Sequence, residues 1–156
     1  MTAMIFIRTR HAVLCLISWI AIPLTAATAM AAPPAVDPCT VVTVTELEQV
    51  IGKLKGAPTK EGEGGVCNYE FANGKDEFSV AVFPPGGFEF ERKRSKKPIP
   101  IKGLGDDAFL DRGMHDIPYA NLYVKKKTAT VELSIKETAG DEDKLKTLAQ
   151  KAVGRF

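Results

Sequence analysis

Cys39 and Cys67 constrain the fold of this chain more than any other pair of residues. The third cysteine, Cys15, lies in an N-terminal stretch laid out like an export signal. Arg8, Arg10 and His11 form a basic start, residues 12–22 are almost all apolar, Pro23 breaks the run, and small residues follow through Ala32. That order predicts a secretory signal over residues 1–31, cleaved at Ala29-Met30-Ala31. A retained membrane helix is the competing reading, since no charge falls between Ala12 and Val36. Pro23 and the small-residue tail favour cleavage, which leaves no transmembrane span. Two cysteines then remain, and in an oxidising compartment an even pair is most simply a disulfide. Closing a loop of about 29 residues, it would contribute roughly 3.5 kcal/mol through chain entropy. That is a large share of a small domain's net stability. The two Cα atoms should then lie within roughly 7 Å. A free catalytic thiol is the alternative, but no histidine stands near either cysteine in the mature sequence to activate it.

Removing the signal changes the charge argument. The chain has 21 Lys and Arg; without Arg8 and Arg10, 19 remain against 19 Asp and Glu, a net charge of zero. Global charge therefore gives no case for a nucleic-acid partner. About 125 residues remain, enough for one domain and too few for two. Residues 32–38, with Pro33 and Pro34, read as an extended lead-in, and residues 39–156 as a single domain.

Leu47, Val50, Ile51 and Leu54 recur at helical spacing, with Thr45 as N-cap and Thr43 as the competing cap, Glu46 standing at the capping-box position. Val41, Val42 and Val44 should pack ahead of this helix as a buried turn or short helical lead, and Gly52 or Gly56 should end it. Residues 62–65 read as a linker. Cys67, Tyr69 and Phe71 share one strand face, Asn73-Gly74 marks a hairpin, and Phe78, Val80 and Val82 line the return strand. Residues 88–97 fit a short helix only thinly. Gly103-Leu104-Gly105-Asp106 reads as a turn whose glycines take positive φ and whose aspartate caps it, leading into a strand. Residues 111–116 read as loop. Residues 119–125 and 128–136 form a second hairpin. Past Gly140 comes a final helix, acidic at its start, that buries Leu145, Leu148, Ala149, Ala152 and Val153. The expected fold is α+β: an antiparallel sheet of about five strands, with N- and C-terminal helices packed on one face and one disulfide.

Asp37-Pro38-Cys39, then Cys67-x-Tyr69, then Gly103-Leu104-Gly105-Asp106-Asp107-Ala108-Phe109 form an ordered series. With Val50-Ile51-Gly52 and the late Leu122-Tyr123-Val124-Lys125-Lys126 strand, it resembles a group of small exported bacterial proteins, many of them lipoproteins, whose domain has no assigned function. The resemblance spans nearly the whole mature chain. It implies that the two cysteines pair and that the fold is a compact α/β sandwich. One departure is that no lipid-attachment cysteine is present, since Val36-Asp37-Pro38 precedes Cys39.

Candidate chemistry is sparse. His115 is the only histidine after the signal, which excludes a multi-histidine metal site and leaves one possible base for Ser79, Ser95 or Ser134. Asp106, Asp107, Asp111 and Asp116 cluster without the alternating ligand spacing or closing glutamate of a calcium loop. No catalytic residue, metal or cofactor is implied, and the expected role is that of a non-enzymatic binding or accessory domain of the cell envelope. Arg92, Lys93, Arg94, Lys96 and Lys97, with Phe88 and Phe90 beside them, suggest an alternative: binding to an anionic lipid or polyanion surface. The competing reading of that run is a solvated loop partly neutralised by Glu89 and Glu91. An enzyme using His115 or the aspartate cluster is the third reading.

Overall fold

The computed structural model describes residues 36–62, 65–84, 86–112, 119–127, 129–136 and 141–156. The expected signal, residues 32–35 of the lead-in, Gly140, His115 and Asp116 lie outside them. Asp37 starts the described fold by accepting the N–H of Cys39 at 3.0 Å, and Pro38 opens the one-turn helix α1 (Pro38–Val41). Cys39 is disulfide-bonded to Cys67, with the Cα atoms 5.1 Å apart. The staple therefore holds α1 to the sheet, rather than the longer helix that follows.

That helix, α2 (Val44–Val50), is capped by Thr43 and not by Thr45. Thr43 Oγ1 accepts the Glu46 N–H at 3.3 Å, and a Glu46 carboxylate oxygen accepts the Thr43 N–H at 3.0 Å. The helix ends before Leu54, which instead bridges to Phe71 beside the sheet.

The sheet has seven strands, not five. They are β1 (Thr59–Glu61), β2 (Val66–Glu70), β3 (Glu77–Phe83), β4 (Ile99–Pro100), β5 (Asp107–Arg112), β6 (Tyr119–Lys126) and β7 (Ala129–Lys136). Their order is β1-β2-β3-β7-β6-β5-β4, antiparallel throughout. The two unexpected strands are the edges. β1 is a fully exposed Thr-Lys-Glu with no apolar alternation, and β4 contains Pro100, which only an edge tolerates. Asp111 lies inside β5, not in a loop.

Alternation along the strands separates two cores. Cys67, Tyr69, Phe78, Val80, Ala108, Leu110, Ala120, Leu122, Val124, Val131, Leu133 and Ile135 share one cluster with Val41, Leu47 and four residues of α4 (Asp141–Ala152): Leu145, Leu148, Ala149 and Ala152. Arg155 closes this side, donating to both carboxylate oxygens of Glu46 at 2.7 and 2.8 Å and to the Val41 carbonyl at 2.9 Å. The opposite parity contributes Phe109 and Tyr123, which form a small second core with Phe88 of helix α3 (Gly87–Arg94). Among the described residues, no helix is long and apolar enough to cross a membrane.

Candidate functional site

Side chains of the second parity line up across the sheet. Thr59 pairs with Asn68, Asn68 with Ser79, Ser79 with Ser134, Ser134 with Asn121 and Asn121 with Asp111. This is one row of small polar residues over six strands. At about 4.8 Å between strands, Thr59 to Asn121 spans roughly 19 Å.

Helix α3 covers only the Asp111 end of this row. Phe88 anchors it, fully buried, with its ring centroid 5.1 Å from Phe109, which stacks on Tyr123 at 4.7 Å. Gly87 permits the approach, because a Cβ there would lie 2.7 Å from Phe83 Cβ. Just past the helix, Ser95 donates to Asp111 Oδ1 at 2.7 Å, while Asp111 Oδ2 is buried with no hydrogen-bond partner among the described residues. Between α3 and the uncovered strands lies a groove of about 490 Å³, floored by Ser79, Asn121, Ser134 and Glu132. It meets a second hollow of about 460 Å³ over β2 and β3 at Ser79 and Tyr119.

Electrostatics distinguish this groove. Burial pushes the Glu132 carboxyl up to about 7, and the nearby charges of Glu91 and Asp111 add to the rise. The Tyr123 hydroxyl, donating to Glu132 Oε1 at 3.2 Å, and Arg94 act in the other direction without cancelling it. At the far rim the Tyr119 hydroxyl donates to Glu77 Oε2 at 2.6 Å, which raises Tyr119 to about 12. Ser134 donates to Asn121 Oδ1 at 2.6 Å. Its hydroxyl is thus directed at an amide oxygen, which is no general base. The arrangement can bind through hydrogen bonds and charge. Among the described residues, no group of three or more His, Cys, Asp or Glu side chains is placed to hold a metal ion.

The basic run expected to face an anionic surface is dispersed by the helix. Phe88 is core and presents nothing to a surface. Arg92 lies over the Phe88 and Phe109 rings at 4.7 and 5.4 Å and pairs with Asp107 at 2.9 Å. Arg94 pairs with Glu91 at 3.2 Å and lies 5.4 Å from the Phe90 ring. Lys93, Lys96 and Lys97 are exposed and make no ion pair among the described residues, and Phe90 is 60% exposed. Two of the five charges are thereby internally matched. The glycine turn has the expected backbone, with φ of +76° at Gly103 and +62° at Gly105. Asp106 contributes its backbone N–H, to the Lys125 carbonyl at 2.8 Å, and its side chain is exposed.

Sequence reasoning passed over Glu132, Asn121 and Tyr123 as parts of a site. The only signal was polar residues alternating with apolar ones along β6 and β7, and their alignment with Ser79 and Asn68 needs the register of three strand pairs. Fold and groove together define an α+β protein with one helix-covered sheet face and a second face left partly open. No family model, curated protein or solved structure matches the chain.

Proposed function

We propose that this chain is an exported, non-enzymatic binding domain of the cell envelope that holds its ligand on the open sheet face. The observation that carries this reading is the groove beside α3: a polar floor of Ser79, Asn121, Ser134 and Glu132, with a carboxyl kept under-solvated. Packing alone has no use for such a carboxyl, whereas a binding surface does. Export is supported by the layout of residues 1–31, by the resemblance to small exported bacterial domains, and by the Cys39–Cys67 disulfide, which suits an oxidising compartment. The test fills the groove. Ser79→Trp should abolish cross-linking to the envelope component that the wild-type protein captures, with the thermal midpoint unchanged. Equal capture of that component by the variant would refute the assignment of the face.

One observation favours a second reading, association with an anionic surface. Phe90 is exposed beside Lys93, Lys96 and Lys97, none of them engaged in an ion pair among the described residues. These four residues, and not Arg92 or Phe88, are the ones to replace by alanine. Partition onto phosphatidylglycerol vesicles that survives their joint replacement would reject this reading.

A further inference from the structure

We propose that the groove takes an extended peptide segment bearing lysine or arginine, its backbone over the Asn68–Ser79–Ser134–Asn121 row and its cationic side chains against Glu77 and Glu132. The inference rests on the open face being the binding surface, and it names the ligand class.

Charge is the first argument. Six carboxylates line the two joined hollows, Glu61, Glu70, Asp76, Glu77, Glu91 and Glu132, against two cations, Lys55 and Arg94. Both cations are already matched, Lys55 to Glu70 at 2.8 Å and Arg94 to Glu91 at 3.2 Å. Glu61, Asp76, Glu77 and Glu132 have no ion pair among the described residues, so the surface is complementary to positive charge.

The floor supplies the second argument and separates a peptide from a simple amine. Asn121 is 8% exposed and lines the groove, and its carbonyl oxygen is committed to Ser134. Its two amide hydrogens have no acceptor among the described residues and open onto the groove, so a ligand acceptor can replace water there. A backbone carbonyl does so, and a polyamine has none. Asn68, three strands away on the same row, offers a second amide. An extended chain rises about 3.3 Å per residue, so the row from Asn68 to Asn121, three strand spacings or about 14 Å, accommodates about four residues.

Proton linkage follows from Glu132. The groups facing it are Glu91 and Arg94 from α3, Tyr123 from β6 and Asp111 from β5. With its carboxyl near 7, arrival of a cation favours the ionised form, so binding releases a proton and strengthens as pH rises from 6 to 8.

The test is calorimetry on the purified protein with the octapeptides (Lys-Ser)4 and (Glu-Ser)4 and with spermidine, mapped by backbone amide shifts. (Lys-Ser)4 should bind at least about tenfold tighter than (Glu-Ser)4, and Glu132→Gln should cost about tenfold of that affinity. Glu77→Gln is a second variant, on the exposed rim, and it keeps an acceptor for the Tyr119 hydroxyl. Asn121→Ala should weaken (Lys-Ser)4 and leave any spermidine binding unchanged. Spermidine binding as tightly as the peptide would overturn the inference in favour of a small amine. Equal binding of both peptides, with shifts at Asn68, Ser79, Asn121 and Ser134, would overturn the cationic class and leave the open-face reading standing. Shifts confined to α1, α2 and α4 would overturn both.

Discussion

Replacing Glu132 by Gln should stabilise the protein, and by an amount that depends on pH. The Glu132 carboxyl is raised from 4.5 to about 7 because burial removes water from its charged form and Glu91 and Asp111 repel it. Between those two values the folded chain keeps a proton that the unfolded chain has lost, so stability falls as pH rises through the window. Each pH unit costs about 1.4 kcal/mol, giving a penalty of about 3 kcal/mol that is complete above pH 7 and absent below 4.5. Glutamine has the same shape, stays neutral and can still accept from Tyr123. Urea unfolding of the two proteins should therefore show equal stability at pH 4.5, a gap of about 1–2 kcal/mol near pH 6, and about 3 kcal/mol at pH 8. The slope m should be unchanged, because the surface exposed on unfolding is the same. A gap of equal size at pH 5 and pH 8, or one favouring wild type at pH 8, would refute the assignment of Glu132 as a desolvated acid.

Four further perturbations probe the frame around the groove. Joint replacement of Cys39 and Cys67 by alanine should cost about 3.5 kcal/mol, and thiol reduction of the wild type should give a similar loss in denaturant midpoint. Gly105→Ala should cost about 2–4 kcal/mol, because its φ is +62° and a Cβ would lie 2.5 Å from the Lys125 carbonyl oxygen. Gly103→Ala, at φ +76° with open space around it, should cost only about 1–2 kcal/mol in the same thermal melts. Arg155 holds Glu46 down to about 2, so Arg155→Ala should lose about 1–2 kcal/mol at pH 7, discounted because the guanidinium is partly exposed. A depressed carboxyl stabilises above its unfolded value and loses that contribution as pH falls from 4.5 through 2; the gap between variant and wild type should narrow there to the share of the Val41 carbonyl bond.

The apolar side of the sheet was legible because burial on one face writes a period of two into the strands, as in Phe78, Val80 and Val82. The disulfide was legible because only two cysteines follow the expected signal. Edge strands were not, since the residues of β1 and β4 are exposed and carry no apolar alternation. Sequence proximity also misled at the basic run. Successive helical residues point about 100° apart, so Arg92 turns inward over Phe109 while Lys93 faces water. The groove was the least legible feature. Its floor joins residues from β3, β6 and β7 whose separations in sequence carry no pattern, and only the register sets Asn121 beside Ser134 and Ser134 beside Ser79.

The staple and the groove are linked through stability, and their combination tests both magnitudes at once. Cys67 lies on the apolar parity of β2, in register with Val80 and, through it, Leu133; Glu132 is the next residue of β7 and points to the opposite face. The two sites share no contact, so their effects should add. The disulfide contributes about 3.5 kcal/mol and the desolvated acid costs about 3 kcal/mol at pH 8, so the staple offsets what the buried carboxylate removes. Glu132→Gln introduced into the disulfide-free variant should then restore most of the lost stability at pH 8 and only about 0.7 kcal/mol of it at pH 5. Rescue of equal size at both pH values would mean that the glutamine substitution repairs packing rather than charge. No rescue at either would mean that Glu132 is well solvated, and the case for a groove held ready for a cation would go with it.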